Sequence, residues 1–253
     1  MTEWGRVLKR VESIVKDLDE PFFRGHGGAG LPLVSSLGRQ KFHPTLENNL
    51  YYDFLTYSST LLPQKCDSWD ALFVMRHHGL PTRLLDWTQS FSVAVYFAVA
   101  RCVDAAAIWI LDPFVLNKQT VGEEALWHPQ TDFEYGYYDY FIGTPTKRFP
   151  GRAIAILPSK TTARVLAQRG VFTIHKIKDE PLDSVCKSGL AKIELPQAAL
   201  SDAKNFLKLA GVNEFTLFPD LDGLAGWLRS AHDVDVAKPR RPRTRVRRLR
   251  SIQ

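Results

Sequence analysis

The sequence predicts an α+β fold, a mixed sheet with flanking helices, on three observations. Stretches with apolar residues three and four apart alternate with short apolar or period-two runs, so helices and strands are both present. The two kinds follow no regular strand–helix–strand alternation, which disfavours a doubly wound parallel sheet. The 253 residues, 45% hydrophobic and 24% charged, suit one large domain or two small ones.

Residues 3 to 18 read as a helix. Trp4, Val7, Leu8, Val11, Ile14, Val15 and Leu18 share one face, and Pro21 ends the pattern. Phe22-Phe23-Arg24-Gly25 is a short strand-like run. The glycines after it, Gly27, Gly28 and Gly30, make a flexible turn without the spacing of a phosphate-binding loop. Leu31 to Arg39 is irregular or extended. Helical spacing returns over 44–62 and 68–75. Thr82 to Asp86 is an extended run with charges between leucines, and Ser92 to Ala100 an apolar helix.

Ala105 to Leu111 is a buried strand stopped by Asp112-Pro113. Residues 114 to 150 read as loop, but their aromatics are too many for a bare linker, so this loop packs on something or covers a site. Strands are expected over 152–157, 171–177 and 192–195. Helices are expected over 161–169, 201–210 and 224–231, the first two closed by Gly170 and Gly211. Residues 215–222 read as loop.

The net charge of +6 is local. Lys238 to Arg250 carries eight Lys/Arg and no acid, and without them the rest of the chain is slightly acidic. A like-charge block broken by Pro239 and Pro242 reads as a disordered basic tail; through phosphates it would hold nucleic acid or another acidic partner. No apolar run approaches the ~20 residues that span a bilayer, so no membrane partner is expected. The N-terminus lacks the pattern of a signal peptide. Three scattered cysteines argue for free thiols and a cytoplasmic location. Neither they nor His26, His43, His77 and His78 have the spacing of a zinc site. Oligomeric state is not legible.

The stretch His77 to Thr88 organises the chain. Arg83 and Asp86 stand next to a buried helix, where an unpaired charge costs several kcal/mol. They are therefore a site or a structural ion pair, with Arg24 a further member of either. His77 and His78 cannot both reach one ligand from regular structure, being roughly 100° apart on a helix and on opposite faces of a strand. His78, beside the Gly79-Leu80-Pro81 turn, is the candidate base or anchor.

Four segments carry a resemblance to the FRG-domain family: Phe23-Arg24-Gly25; His77 to Thr88 with the helix through Tyr96-Phe97-Ala98; Gln168-Arg169-Gly170-Val171-Phe172-Thr173; and Leu217 to Leu224. They span about residues 22 to 227. The resemblance divides the chain into an N-terminal helix (1–21) packed on the domain, an FRG-like domain (22–232) and the basic tail (233–253). Arg76 departs from the family pattern, which expects Gln before the two histidines.

The sequence is also similar, more weakly, to ADP-ribosyltransferases. Those have an aromatic–arginine strand, like Phe23-Arg24-Gly25, and a Ser/Thr strand leading into a helix, like Leu85 to Thr88 followed by Ala94 to Ala98. Where they carry a late glutamate, this chain has Gln168. The similarity implies an ADP-ribosyltransferase-like fold with NAD as substrate. The expected enzyme is a transferase, a toxin or antiviral defence effector modifying nucleic acid or protein. Breaking the nicotinamide–ribose bond develops positive charge on the sugar. On this reading Arg24, beside Gly25, grips the pyrophosphate with its guanidinium fork. Arg83, Thr88 and Tyr96 complete the cofactor site. Asp86 faces the cation, with Glu134 a poorer second choice, and Gln168 orients a hydroxyl. The competing expectations are a nucleotide or nucleic-acid binding module without chemistry, and a metal-independent nuclease built on His78 and Asp86.

Overall fold

The computed structural model describes residues 1–40, 45–63, 65–100, 102, 105–159 and 162–234. The basic tail from Lys238 onward and His43 lie outside them.

Helix α1 (Glu3–Val15) starts where Thr2 Oγ1 accepts from the Gly5 amide. Strand β1 (Phe22–His26) follows, then α2 (Leu46–Ser58) and α3 (Ser68–His77). Asp67 and Asp70 form a reciprocal cap at the start of α3. Its end is set by Gly79 in the left-handed region, φ 84°, which lets the Gly79 and Leu80 amides bond back to Arg76 and Met75. Strand β2 (Leu84–Thr88) then leads into α4 (Phe91–Ala100) and β3 (Ala106–Leu111).

The stretch 114–150, expected to be loop-rich, holds three helices, the first beginning one residue before it: α5 (Pro113–Val121), α6 (Pro129–Asp132) and α7 (Tyr137–Phe141). Asp112 caps α5 through the Phe114 and Val115 amides, Pro113 takes its first turn, and Gly122 closes it at φ 83°. The chain ends with β4 (Ala153–Ile156), α8 (Ala163–Ala167), β5 (Gly170–His175), α9 (Leu182–Val185), β6 (Leu190–Leu195), α10 (Leu200–Leu209), α11 (Glu214–Leu217) and α12 (Leu221–Ala231). Both α9 and α11 are single turns that no apolar period marks in the sequence.

The six strands form one sheet in the order β4-β5-β2-β1-β3-β6, each neighbouring pair antiparallel. The α+β class expected from the sequence is the one observed. On one face α1, α4 and α10 cover β1, β3 and β6 through Phe23, Ile108, Ile110 and Ile193. On the same face α2, α3 and the aromatic segment around α6 and α7 cover β2, β5 and β4 through Leu84, Phe172, Ile174 and Ile154. The opposite face packs Phe22, Leu85, Trp87 and Val171 against Leu33, Leu116 of α5 and Leu182 of α9. No helix among the described residues is long and apolar enough to cross a membrane.

One pairing in the sheet is different. β1 and β3 pair along all five residues of β1, whereas β1 and β2 pair only at Phe23 opposite Thr88. Beyond that pair the two central strands part, and the sheet opens in its middle.

A buried polar ladder lies beneath β2 and β5. Trp87 Nε1 donates to Thr173 Oγ1 at 3.2 Å, and Thr173 Oγ1 lies 3.0 Å from His175 Nε2. Burial lowers the His175 pKa to about 4. Burial, then the Arg24 charge, lowers that of His26 to about 3. Both side chains are neutral in the native state, but the unfolded chain takes up their protons below about pH 6.5. Stability is therefore complete above that pH and falls as pH drops toward the folded values, by about 1.4 kcal/mol per pH unit for each group. The melting temperature should be level from pH 8 to 6.5 and lower at pH 5. A flat profile to pH 5, read by circular dichroism, would contradict this burial.

Candidate functional site

The gap between β1 and β2 opens into a cleft of about 860 Å³. One wall is β1 and the glycine-rich segment after it, Arg24 to Pro32; the other is Asp86 to Thr88 at the end of β2. Val93 and Phe97 of α4 form the floor, and Arg39, Arg76, Arg164 and Gln168 complete the rim.

Strand alternation explains how the charges meet. Phe23 points into the core over α4, so Arg24 and His26 share the opposite face. The Arg24 guanidinium reaches into the gap, where Nη1 donates to the Asp86 carbonyl at 2.5 Å and Nε to His26 Nε2 at 2.8 Å. It thus satisfies a carbonyl that the parted strands leave without a ladder bond. From the other face Arg76 of α3 grips the Asp86 carboxylate with two bonds, Nε to Oδ1 at 2.7 Å and Nη2 to Oδ2 at 2.5 Å. Arg24 Nη1 is 3.6 Å from the same carboxylate. Gly25 lies between, against the backbone of α4.

The electrostatics follow from burial and pairing. Burial pushes the Asp86 carboxyl up, but Arg76 and Arg24 together outweigh it and hold it below the usual carboxylate range. Burial lowers Arg24 to about 10, against the pull of Asp86 and with the repulsion of Arg39 and Arg76, so it stays cationic at neutral pH. Arg39 is lowered by burial and by Arg76. The cleft is thus lined by four arginines and one aspartate, with His26 neutral.

Three nitrogens of Arg76 are committed to Asp86 and Ser36. Arg39 donates through Nη1 to the Val34 carbonyl at 2.5 Å, and the Arg164 guanidinium sits 4.6 Å over the Phe218 ring. Among the described residues, Arg24 Nη2 and Arg39 Nε and Nη2 have no protein acceptor. Guanidinium nitrogens with unspent donors in a partly dry cleft are a site for an anion.

Of the residues singled out from the sequence, Arg24, Gly25, Asp86, Thr88 and Gln168 come together in this cleft. Thr88 Oγ1 donates to the Gln168 carbonyl at 2.6 Å and accepts from the Ser90 amide at 3.0 Å, so it ties β2 to the ends of α8 and α4. Gln168 Nε2 donates to the Leu217 carbonyl, tying α8 to α11.

His78, Arg83 and Tyr96 do not line the cleft. His78 ends α3 as an exposed cap residue, its ring edge-on to that of His77. Arg83 lies outside because its partner is Glu47 of α2, bound through Nε at 2.5 Å and Nη2 at 2.6 Å, with the guanidinium 4.3 Å from the centre of the Phe141 ring. Tyr96 is on the far side of α4, lining a shallow groove against α10 and α12. Glu134 is exposed and away from the cleft. The ion pair that Asp86 makes is with Arg76 and Arg24 rather than Arg83. No group of three or more His, Cys, Asp or Glu able to hold a metal occurs among the described residues.

Arg39, Arg164 and His26 are the cleft residues that sequence reasoning passed over as ligand contacts. Arg76 had a signal, its departure from the expected Gln. Arg39 and Arg164 had none, being single arginines in an irregular segment and a one-turn helix.

Residues 19–106 match the family model of the FRG domain. The matched segment contains β1, β2, α4, Arg39, Arg76 and Asp86; the resemblance around Gln168 and Leu217 falls beyond it. No curated protein and no solved structure matches the chain.

Proposed function

We propose that the chain carrying this FRG-domain match uses the cleft between β1 and β2 to bind a nucleotide through its phosphates. The observation that carries the reading is the convergence of Arg24, Arg39, Arg76 and Arg164 on a cleft in which Asp86 is the one carboxylate among the described lining residues. That excess of positive charge attracts an anion from solution. Phe97, partly exposed on the cleft floor, supplies an apolar side against which a base would rest.

The finer reading is ADP-ribosyl transfer from NAD. It draws on one further observation: Arg24, Asp86, Thr88 and Gln168, spread over 145 positions of sequence, all border the same cleft. In that reaction Arg24 would hold the pyrophosphate while Asp86, whose side chain is 38% exposed, would face the sugar cation. Its charge is already shared with two guanidiniums, so the binding reading stands ahead of the catalytic one. The nuclease reading loses ground because His78 lies outside the cleft and Asp86 is bound to Arg76.

Melting the protein with millimolar ADP, NAD or adenosine tests both levels. ADP and NAD should raise the melting temperature by linkage, adenosine much less, and Arg24→Ala should abolish the shift. Equal shifts with adenosine and ADP would reject phosphate binding. Nicotinamide release from labelled NAD, lost in Arg24→Ala, is the result expected of a transferase; binding of NAD without release would leave the binding function alone.

A further inference from the structure

The phosphate-binding reading assigns the anion to Arg24 but leaves open what holds that guanidinium in place across a gap in the sheet. We propose that His26 is the positioning residue of Arg24, acting as a hydrogen-bond acceptor with its own proton on Nδ1. The inference rests on the reading above and adds a residue to it.

Arg24 and His26 are two apart on β1 and so share a face. The Arg24 Nε–H can only donate, so at 2.8 Å His26 Nε2 must be the accepting nitrogen. The neutral ring then carries its hydrogen on Nδ1. Nη1 of the same guanidinium is held by the Asp86 carbonyl. One bond is rooted in β1 and the other in β2, so together they fix the guanidinium plane across the gap and leave Nη2 for a ligand. Without His26 the plane would turn about its remaining bond, and binding would have to bear the cost of ordering it.

The surroundings of the ring agree with an acceptor role. His26 is 6% exposed. Nδ1 is buried with no hydrogen-bond partner among the described residues, and burial outweighs the Leu31 backbone, which favours the charged ring, so the ring stays neutral. The charged groups facing the ring are Arg24 on its own strand, Arg39 from the following segment and Lys192 on β6, all cations that keep it neutral. A protonated ring would have no acceptor and would release Arg24.

Two substitutions separate this role from simple packing. His26→Gln places an amide oxygen near the position of Nε2, while His26→Asn is too short to reach Arg24 Nε. Titrating ADP by calorimetry should give wild-type affinity within about twofold for His26→Gln. Affinity should be about tenfold weaker for His26→Asn, the scale of ordering one long side chain. Equal affinity for wild type and His26→Asn, or an equal loss in both variants, would overturn the proposal. Nitrogen-15 spectra of the wild-type ring provide a readout that needs no variant to fold. The Nδ1–H tautomer, unchanged from pH 8 to 5, is expected; an Nε2–H tautomer or an imidazolium would overturn the assignment. If the wild-type protein binds no ADP, the phosphate-binding reading fails, and the ring spectra still decide whether His26 accepts from Arg24.

Discussion

Replacing Gly25 by alanine should leave a protein that melts about 10 °C lower or does not fold. A Cβ at this position would stand 1.9 Å from the Ala94 carbonyl oxygen and 2.6 Å from the Ala98 amide. Both obstacles are backbone of α4, so no side chain can swing aside. β1 cannot retreat either, because it is an interior strand paired with β3 along its whole length. Overpacking a core with one extra methyl costs about 1–3 kcal/mol when side chains absorb it. With only backbone to displace, about 3 kcal/mol or more is expected, a large part of the roughly 5–15 kcal/mol that holds a domain together. A thermal melt within about 2 °C of wild type would mean that β1 and α4 do not meet this closely. The Phe-Arg-Gly run thus has three separate tasks: Phe23 in the core, Arg24 in the cleft, and Gly25 at the strand–helix contact that brings the cleft floor up to β1.

Glu47→Ala should be comparably destabilising while sparing the ligand site. The Glu47 and Arg83 side chains are 12% and 14% exposed. Arg83 gives two nitrogens to Glu47 and one to the Lys176 carbonyl, and Tyr137 also donates to Glu47 at 2.5 Å. Burial alone would lower the Arg83 pKa, but Glu47 outweighs it and raises it above the ordinary value. Removing the glutamate strands a buried guanidinium and a buried tyrosine hydroxyl, for which about 3–5 kcal/mol is expected. Urea unfolding measures the loss, and ADP affinity of the folded variant should match wild type. A variant as stable as the parent, or one that folds normally and loses ADP, would contradict the structural role given to Arg83.

Much of the fold is legible because local rules govern it. The periodic apolar face of α1, the glycine after α10 and the alternation in β5 each place an element without reference to the rest of the chain. Gly170, expected to close α8, instead begins β5, and Arg169 takes the left-handed turn at φ 46°. Misplacements occur where two local signals overlap. Asp112-Pro113 ends β3 and also starts α5, since the aspartate caps and the proline fits a first turn. The extended run read over Thr82 to Asp86 stops short of Trp87 and Thr88, which continue β2 by pairing with Val171 and Gly170.

The site is legible only in part, for a different reason. Arg24, Asp86 and Thr88 stand in short motifs beside structural breaks, where a charge is conspicuous. Arg83 stands in the same motif and serves the core, because its partner Glu47 is 36 positions away and no spacing reveals the pair. Arg39 and Arg164 reach the cleft from segments without a pattern. The parting of β1 from β2 that creates the cleft depends on pairings between β1, β2 and their outer neighbours, and no single strand contains that information.

The central claim is that the gap between β1 and β2 receives phosphate. A crystal structure of the protein grown with ADP is its most direct test. Phosphate oxygens within hydrogen-bond distance of Arg24 and of Arg39 or Arg164, with the base on the Phe97 side, are the predicted result. ADP bound elsewhere, or a cleft left without it at saturating concentration, would contradict the account.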